Sequence, residues 1–217
     1  MMFLKTAAFI SVTIASVLAI NNANIIKYYF ASPTHKNMLQ VVINATNIPT
    51  IANNVATKTS SFKSFCKKNN MDTTIGFMVN MHLPCNTNRF FVVSFKTGKI
   101  LYSGLVAHGS GSNGSFIPTT FSNTNNSLAT SLGKYKIGER YMGQYGLAYK
   151  LNGLETTNSN AYMRAVVLHA HQCVPSAEVA YAICQSWGCP TVATSFMQTL
   201  DTQLKGRKKP VGLWIYY

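Results

Sequence analysis

Acidic side chains are scarce in this sequence: five Asp and Glu stand against nineteen Lys and Arg in 217 residues, a formal charge of +14. Charged residues of both signs make up only 11% of the chain, well below the usual quarter. Asn, Ser and Thr are abundant instead, which suits an exported, strand-rich protein better than a helical cytosolic one. No nucleic-acid-binding motif is visible. The basic residues are scattered apart from Lys205, Arg207, Lys208 and Lys209. The positive balance therefore points to an anionic cell envelope, or to a cationic surface with no specific partner, and not to nucleic acid. Disorder is also disfavoured, because 47% of residues are aliphatic or aromatic. The length suits one domain with an accessory segment.

Long apolar runs are missing too. The best stretch, Ala7 to Ile20, has fourteen residues, too short to span a bilayer comfortably. With Lys5 ahead of it and Val17-Leu18-Ala19 within it, residues 1–23 read as a secretory signal, with Asn21-Asn22-Ala23 as a second candidate cleavage site. The expectation is an exported protein of the periplasm or cell envelope, with no stable membrane span once the signal is removed.

Export changes the meaning of five cysteines, Cys66, Cys85, Cys173, Cys184 and Cys189. In an oxidising compartment an odd count leaves one thiol over. The economical local pairs are Cys66 with Cys85 and Cys173 with Cys184. Cys189 is then the free thiol.

Residues 24–73 read as a small helical segment. One short helix falls between Lys36 and Pro49, and a second runs from Ile51 to Lys68. From residue 74 onward the texture becomes that of strands. Thr74 to Met81, Arg89 to Phe95 and Ile100 to Ala107 are three apolar, β-branched runs joined by turns, the pattern of an antiparallel meander. Residues 108–131 form a long Gly, Ser, Asn and Thr loop, a place where function is often found. Further strands are expected over Gly133 to Ile137, Gly146 to Leu151, Val166 to His169 and Leu213 to Tyr217. Val166 to His169 shows no polar alternation and reads as buried. A helix over Thr191 to Lys205 would align Val192, Phe196, Leu200 and Leu204 before Gly206. The fold class is mostly β (α+β) with a few packed helices.

The chemistry concentrates between His169 and Cys189. An apolar run, Ala165 to Leu168, delivers His169 and then His171, and the stretch closes on Ser186-Trp187-Gly188-Cys189-Pro190. A thiolate is the reactive form of cysteine, so a catalytic cysteine needs a base in reach or a lowered pKa. The helix expected after Pro190 would place its positive end near Cys189. Gly188 lets the backbone approach a substrate closely. His169 and His171 share one face of a strand, because side chains alternate, and spacing alone admits either as the base.

These residues resemble the L,D-transpeptidases of bacterial peptidoglycan. That family carries a histidine, a spacer and then Ser/Thr-His-Gly-Cys; here Ser186-Trp187-Gly188-Cys189 has Trp187 in place of the second histidine, as in a branch with Ser-Trp-Gly-Cys-Pro. The segments Val106-Ala107-His108-Gly109, Phe121-Ser122-Asn123, Ser131-Leu132-Gly133-Lys134-Tyr135, Leu151-Asn152-Gly153-Leu154-Glu155 and Arg164-Ala165-Val166-Val167-Leu168-His169 extend the likeness over residues 74–217. It implies an L,D-transpeptidase-like β-sandwich or barrel as the catalytic domain. It implies Cys189 as nucleophile, His169 as base, and the amides of Gly188 and Cys189 as oxyanion donors. The implied partners are peptidoglycan stem peptides, with no cofactor and no metal.

Ser186, Trp187, His171 and His108 would then contact substrate. The family's arginines beside the active-site motif are missing, with Gln185 ahead of the serine and Pro190-Thr191 after the cysteine. Arg164, or Arg140 with its neighbour Tyr141, stands in as the partner of substrate carboxylates. Ala170 follows His169 where the family has glycine. Two other readings remain open. One is a zinc-dependent hydrolase using His169, His171 and Cys173, for which no nearby carboxylate offers a base. The other is a cell-wall-binding module without turnover.

Overall fold

The computed structural model describes residues 54–217. The expected signal and the first helical stretch lie outside these described residues. Among them no helix is long and apolar enough to cross a membrane. The second expected helix is present as α1, over residues 54–68. Its buried residues, Val55, Thr59, Phe62 and Cys66, recur every three or four positions and so form one helical stripe.

That stripe lies on one face of the sheet. Phe62 packs edge-on to Phe95 at 5.5 Å and against Trp214 at 5.6 Å. Strand β1 (Ile75–Asn80) is buried at all six positions because both of its faces are covered. Phe77 and Val79 join the main core, while Gly76 lies under Phe62 and Phe95. A Cβ on Gly76 would stand 2.3 Å from the Phe95 ring, so α1 can seat there only on glycine. Helix α1 thus belongs to the same compact unit as the sheet.

Strands β2 (Phe90–Ser94) and β3 (Ile100–Gly104) continue from β1 as the expected antiparallel meander. The run Ile100 to Ala107 is not one strand, however. It breaks after Gly104, and Val106–Ala107 forms β4 at the opposite end of the sheet. Among the described residues the order is β3-β2-β1-β9-β5-β6-β7-β8-β4, with β5 (Gly133–Gly143), β6 (Gly146–Gly153), β7 (Val167–Ala170), β8 (Thr191–Val192) and β9 (Gly212–Tyr216). Only Leu105 separates one edge strand from the other. The two Cα steps from Gly104 to Val106 span at most about 7 Å, so the nine strands must curl until their edges meet.

The seam is held by Arg89, which is fully buried. Its Nε and Nη2 donate to Val106 O at 3.0 and 2.8 Å, and its Nη1 donates to Leu83 O at 3.0 Å. An unpaired buried carbonyl is costly, and the guanidinium removes that cost where strand pairing stops.

Other expectations are corrected. β5 runs on through Gly138 to Gly143, with a register shift between Ile137 and Arg140 absorbing the glycine. β7 alternates half-buried and buried positions and is not sunk on both faces. Thr191 and Val192 are a strand, and helix α2 starts only at Thr194, running to Leu204. The spacing of Val192 with Phe196 and Leu200 imitated a helix, but pairing with β7 and β4 captures the first two residues.

Among the cysteines, Cys173–Cys184 is a disulfide as expected. Cys66 and Cys85 are not paired with each other. Cys85 Sγ donates to Ser115 O at 3.3 Å. Cys66 faces Gly212 from α1, and burial pushes its thiol up to about 12. It is an inert core residue.

Candidate active site

The site is assembled where β7 and β8 run parallel. His169 pairs with Thr191, Ala148 of β6 with His169, Tyr141 with Ala148, and Ala107 with Thr191. Directly paired residues face the same way, so this row of side chains crosses the sheet on one face. Cys189 lies two residues before Thr191, in the segment that leads into β8. A cleft of about 280 Å³ opens there, lined by His169, His171, Cys189, Thr191, Ser186, Trp187, Gln185, Tyr145, Ala107 and the Cys173–Cys184 disulfide. Imidazole and thiol, twenty residues apart in the chain, thus share one cavity, and His169 and His171 share a face as expected. Among the described residues no Lys, Arg, Asp or Glu lines it.

The thiol of Cys189 is held by backbone. Val167 N donates to Sγ at 3.4 Å, and Sγ donates to Ala165 O at 3.7 Å. Burial raises the thiol pKa, while the Val167 N–H and the Arg164 charge pull it down. The expected help from a helix N-terminus is absent, because β8 stands between Cys189 and α2. An external base is therefore the requirement.

His169 is suited to that task. Its Nδ1 lies 2.9 Å from Ala170 O; a carbonyl only accepts, so the proton of the neutral ring sits on Nδ1 and the lone pair on Nε2. Burial lowers its pKa, opposed by the Ala170 carbonyl and aided by His171 nearby, which keeps the ring neutral with its Nε2 lone pair available. Nε2 meets Thr191 Oγ1 at 2.9 Å, and the same hydroxyl reaches Cys189 O at 3.3 Å. Donation to Cys189 O frees Nε2 to take a proton and leaves the hydroxyl oxygen to accept from the resulting imidazolium. Tyr145 stacks on His169 at 5.5 Å and 26° and meets His171 edge-on at 4.9 Å.

Gly188 is required by conformation. Its φ is +110°, and a Cβ there would lie 2.9 Å from Ala129 O and 3.3 Å from Arg164 Nη2. Its N–H, expected as an oxyanion donor, instead donates to Ser186 Oγ at 3.2 Å. Ser186 Oγ in turn donates to Cys189 O at 2.7 Å. Ser186 thus braces the turn, and the Cys189 N–H makes no hydrogen bond within the described residues. Trp187 is 79% exposed at the mouth of the cleft.

Several expected site residues lie elsewhere. His108 is 1% exposed; its Nδ1 accepts from Arg89 Nη2 at 2.9 Å and its Nε2 donates to Gly114 O at 3.0 Å. It is framework and does not reach the cleft. Tyr141 stands one strand beyond Ala148 in the row, outside the cleft. Arg140 is bound to Asp201 at 2.7 Å. Arg164 donates to four oxygens of residues 122–131 and none of its nitrogens lines the cleft. Neither arginine is placed to meet a substrate carboxylate. The zinc reading loses a ligand, because Cys173 is oxidised to a disulfide, with His171 Nδ1 2.9 Å from its sulfur.

Two lining residues, Tyr145 and Thr191, had no motif of their own. The pair Gly143 and Gly146 around a two-residue turn is the signal that could have placed Tyr145 at a hairpin tip.

The L,D-transpeptidase catalytic-domain family model matches residues 49–214. No curated protein matches. Among solved structures, an L,D-transpeptidase from Xylanimonas cellulosilytica (its residues 123–326) is similar at 14% identity, with 65% of this chain and 60% of that one covered and a TM-score of 0.37. The family match spans well over half of the sequence and encloses every residue of the cleft, and on that ground the chain belongs to the L,D-transpeptidase catalytic-domain family.

Proposed function

We propose that the protein is an exported cysteine L,D-transpeptidase that acts on peptidoglycan stem peptides at the cell envelope. Cys189 attacks the carbonyl between the third residue of a stem peptide and the D-alanine that follows. The thiol proton passes to His169 Nε2 and from there to the departing amine of D-alanine, leaving a thioester. The side-chain amine of a neighbouring stem's diamino acid then attacks, giving a 3–3 cross-link. Water in its place makes the reaction an L,D-carboxypeptidase step.

The observation that carries this reading is the shared cleft, in which a backbone-held thiol and a neutral imidazole with its proton fixed on Nδ1 open onto the same space. The Cys189 N–H is the amide left to receive the oxyanion. The cationic surface suits an anionic envelope. Trp187 and Tyr145 flank the opening as apolar walls for the stem.

A non-catalytic wall-binding module is the second reading, favoured by one observation: among the described residues no arginine or lysine lines the cleft to hold a substrate carboxylate. Incubation of purified sacculi with the protein, followed by mapping of the released fragments, separates the two. New 3–3 dimers or tripeptides support the enzyme; binding to sacculi with unchanged fragments supports the module.

A further inference from the structure

The turn that precedes β7 carries an arginine with an unusual set of partners. Arg164 Nη1 donates to Ser122 O at 2.8 Å and to Ser131 Oγ. Its Nη2 donates to Ala129 O at 2.7 Å and to Ser127 Oγ at 3.1 Å. All four acceptors are uncharged, and Arg164 has no carboxylate partner among the described residues. The guanidinium therefore keeps its full positive charge.

The segment it grips is in uncommon conformations. Asn126 and Leu128 have φ of +59° and +54°, values that non-glycine residues adopt only when their surroundings impose them. Ala129 O, the acceptor of Arg164 Nη2, is the same atom that leaves no room for a Cβ on Gly188. Ala165, beside the arginine, also has a positive φ of +53° and turns its carbonyl onto Cys189 Sγ. One turn thus supplies the thiol's acceptor at Ala165, its donor at Val167, and a cation between them and the loop.

We infer that Arg164 is a positioning residue, which locks residues 122–131 against Gly188 and sets an unneutralised positive charge beside the Cys189 sulfur. It acts through the nucleophile and not by binding substrate. The inference rests on Cys189 being the nucleophile of the proposed reaction. Among the described residues the other titratable groups around the thiol are Tyr135 from β5, which is neutral and donates to Ser131 O at 2.7 Å, and His169 and His171 across the cleft. Arg164 is, among the described residues, the permanently charged side chain that acts on the sulfur, alongside the Val167 N–H.

The test is the pH dependence of Cys189 alkylation by iodoacetamide, followed on the Cys189 peptide by mass spectrometry in wild type, Arg164→Gln and Arg164→Lys. Alkylation needs no stem peptide, so the result stands apart from whether the protein is a transpeptidase. Removing an opposite charge near a thiol raises its midpoint by about one pH unit, which is the expected result for Arg164→Gln. Arg164→Lys keeps the charge but not the four-way fork; its midpoint stays at the wild-type value while its thermal midpoint falls. A wild-type midpoint in Arg164→Gln overturns the inference, and so does a Lys variant shifted as far as the Gln variant. Should the Gln variant fail to fold, the Lys midpoint decides alone: unchanged supports the inference, raised by a unit overturns it.

Discussion

Acid should weaken this fold through one buried imidazole. His108 Nδ1 accepts from the Arg89 guanidinium, which is itself buried and has no carboxylate partner among the described residues. Protonating Nδ1 would remove that hydrogen bond and set two cations face to face. Burial, reinforced by Arg89, lowers the His108 pKa to about 4 from the ordinary 6.5. Between these values the unfolded chain binds the proton and the folded chain does not. Stability is therefore complete above pH 6.5 and falls as the pH drops toward 4. Below that both states are protonated and the loss is complete. A gap of about 2.5 units corresponds to about 3 kcal/mol, lost at up to about 1.4 kcal/mol per pH unit. The assay is urea unfolding of wild type and His108→Gln at intervals from pH 7 to pH 4. Asp72, Glu139 and Asp201, whose lowered pKa values also favour the fold only above acid pH, are common to both proteins and cancel in the comparison. Wild type should lose about 3 kcal/mol more than the variant across the window. Parallel curves would refute the reasoning. The consequence reaches the cleft, because Ser186 N donates to His108 O at 2.9 Å, so the brace behind Cys189 hangs from this residue.

Gly188→Ala puts a Cβ within 2.9 Å of Ala129 O at a φ of +110°. It should cost about 1–3 kcal/mol in thermal or urea unfolding and slow acylation of Cys189; wild-type stability would contradict the geometry. Reduction of Cys173–Cys184, which closes a loop with a sequence separation of 11, should lower stability by about 3 kcal/mol. A Cys173→Ser, Cys184→Ser double variant should reproduce that loss and lose its sensitivity to dithiothreitol, measured as urea midpoints with and without reductant. An unchanged midpoint on reduction would show that the surrounding contacts hold the loop unaided.

The local parts of this fold were legible in the sequence. The apolar, β-branched runs Thr74 to Met81 and Arg89 to Phe95, with turn residues between, became β1 and β2, because hairpin pairing is decided over short distances. His169 and Cys189 were legible as chemistry, and they do share a cleft. What failed was decided by distant partners. The break at Gly104 is invisible until one sees that the sheet's two edges meet there and that Arg89 bridges them. Thr191 and Val192 carry a helical spacing that β7 and β4 override. The guanidinium of Arg164 was expected to face the substrate, yet it turns to oxygens some 33 to 42 positions earlier in the chain. The direction of one long side chain is set by which loop oxygens lack donors, and no local pattern encodes that. Likewise Cys66 and Cys85 were near enough in sequence to pair, but α1 faces Cys66 toward Gly212 while Cys85 turns to Ser115.

The central claim is that Cys189 is a nucleophile activated by His169. Intact-mass analysis after exposure to a carbapenem tests it most directly in wild type, Cys189→Ala and His169→Ala. The account predicts a single acyl adduct on wild type, mapped to Cys189, none on Cys189→Ala, and much slower formation on His169→Ala. An adduct that persists in Cys189→Ala, or wild-type protein that never acylates, would contradict it.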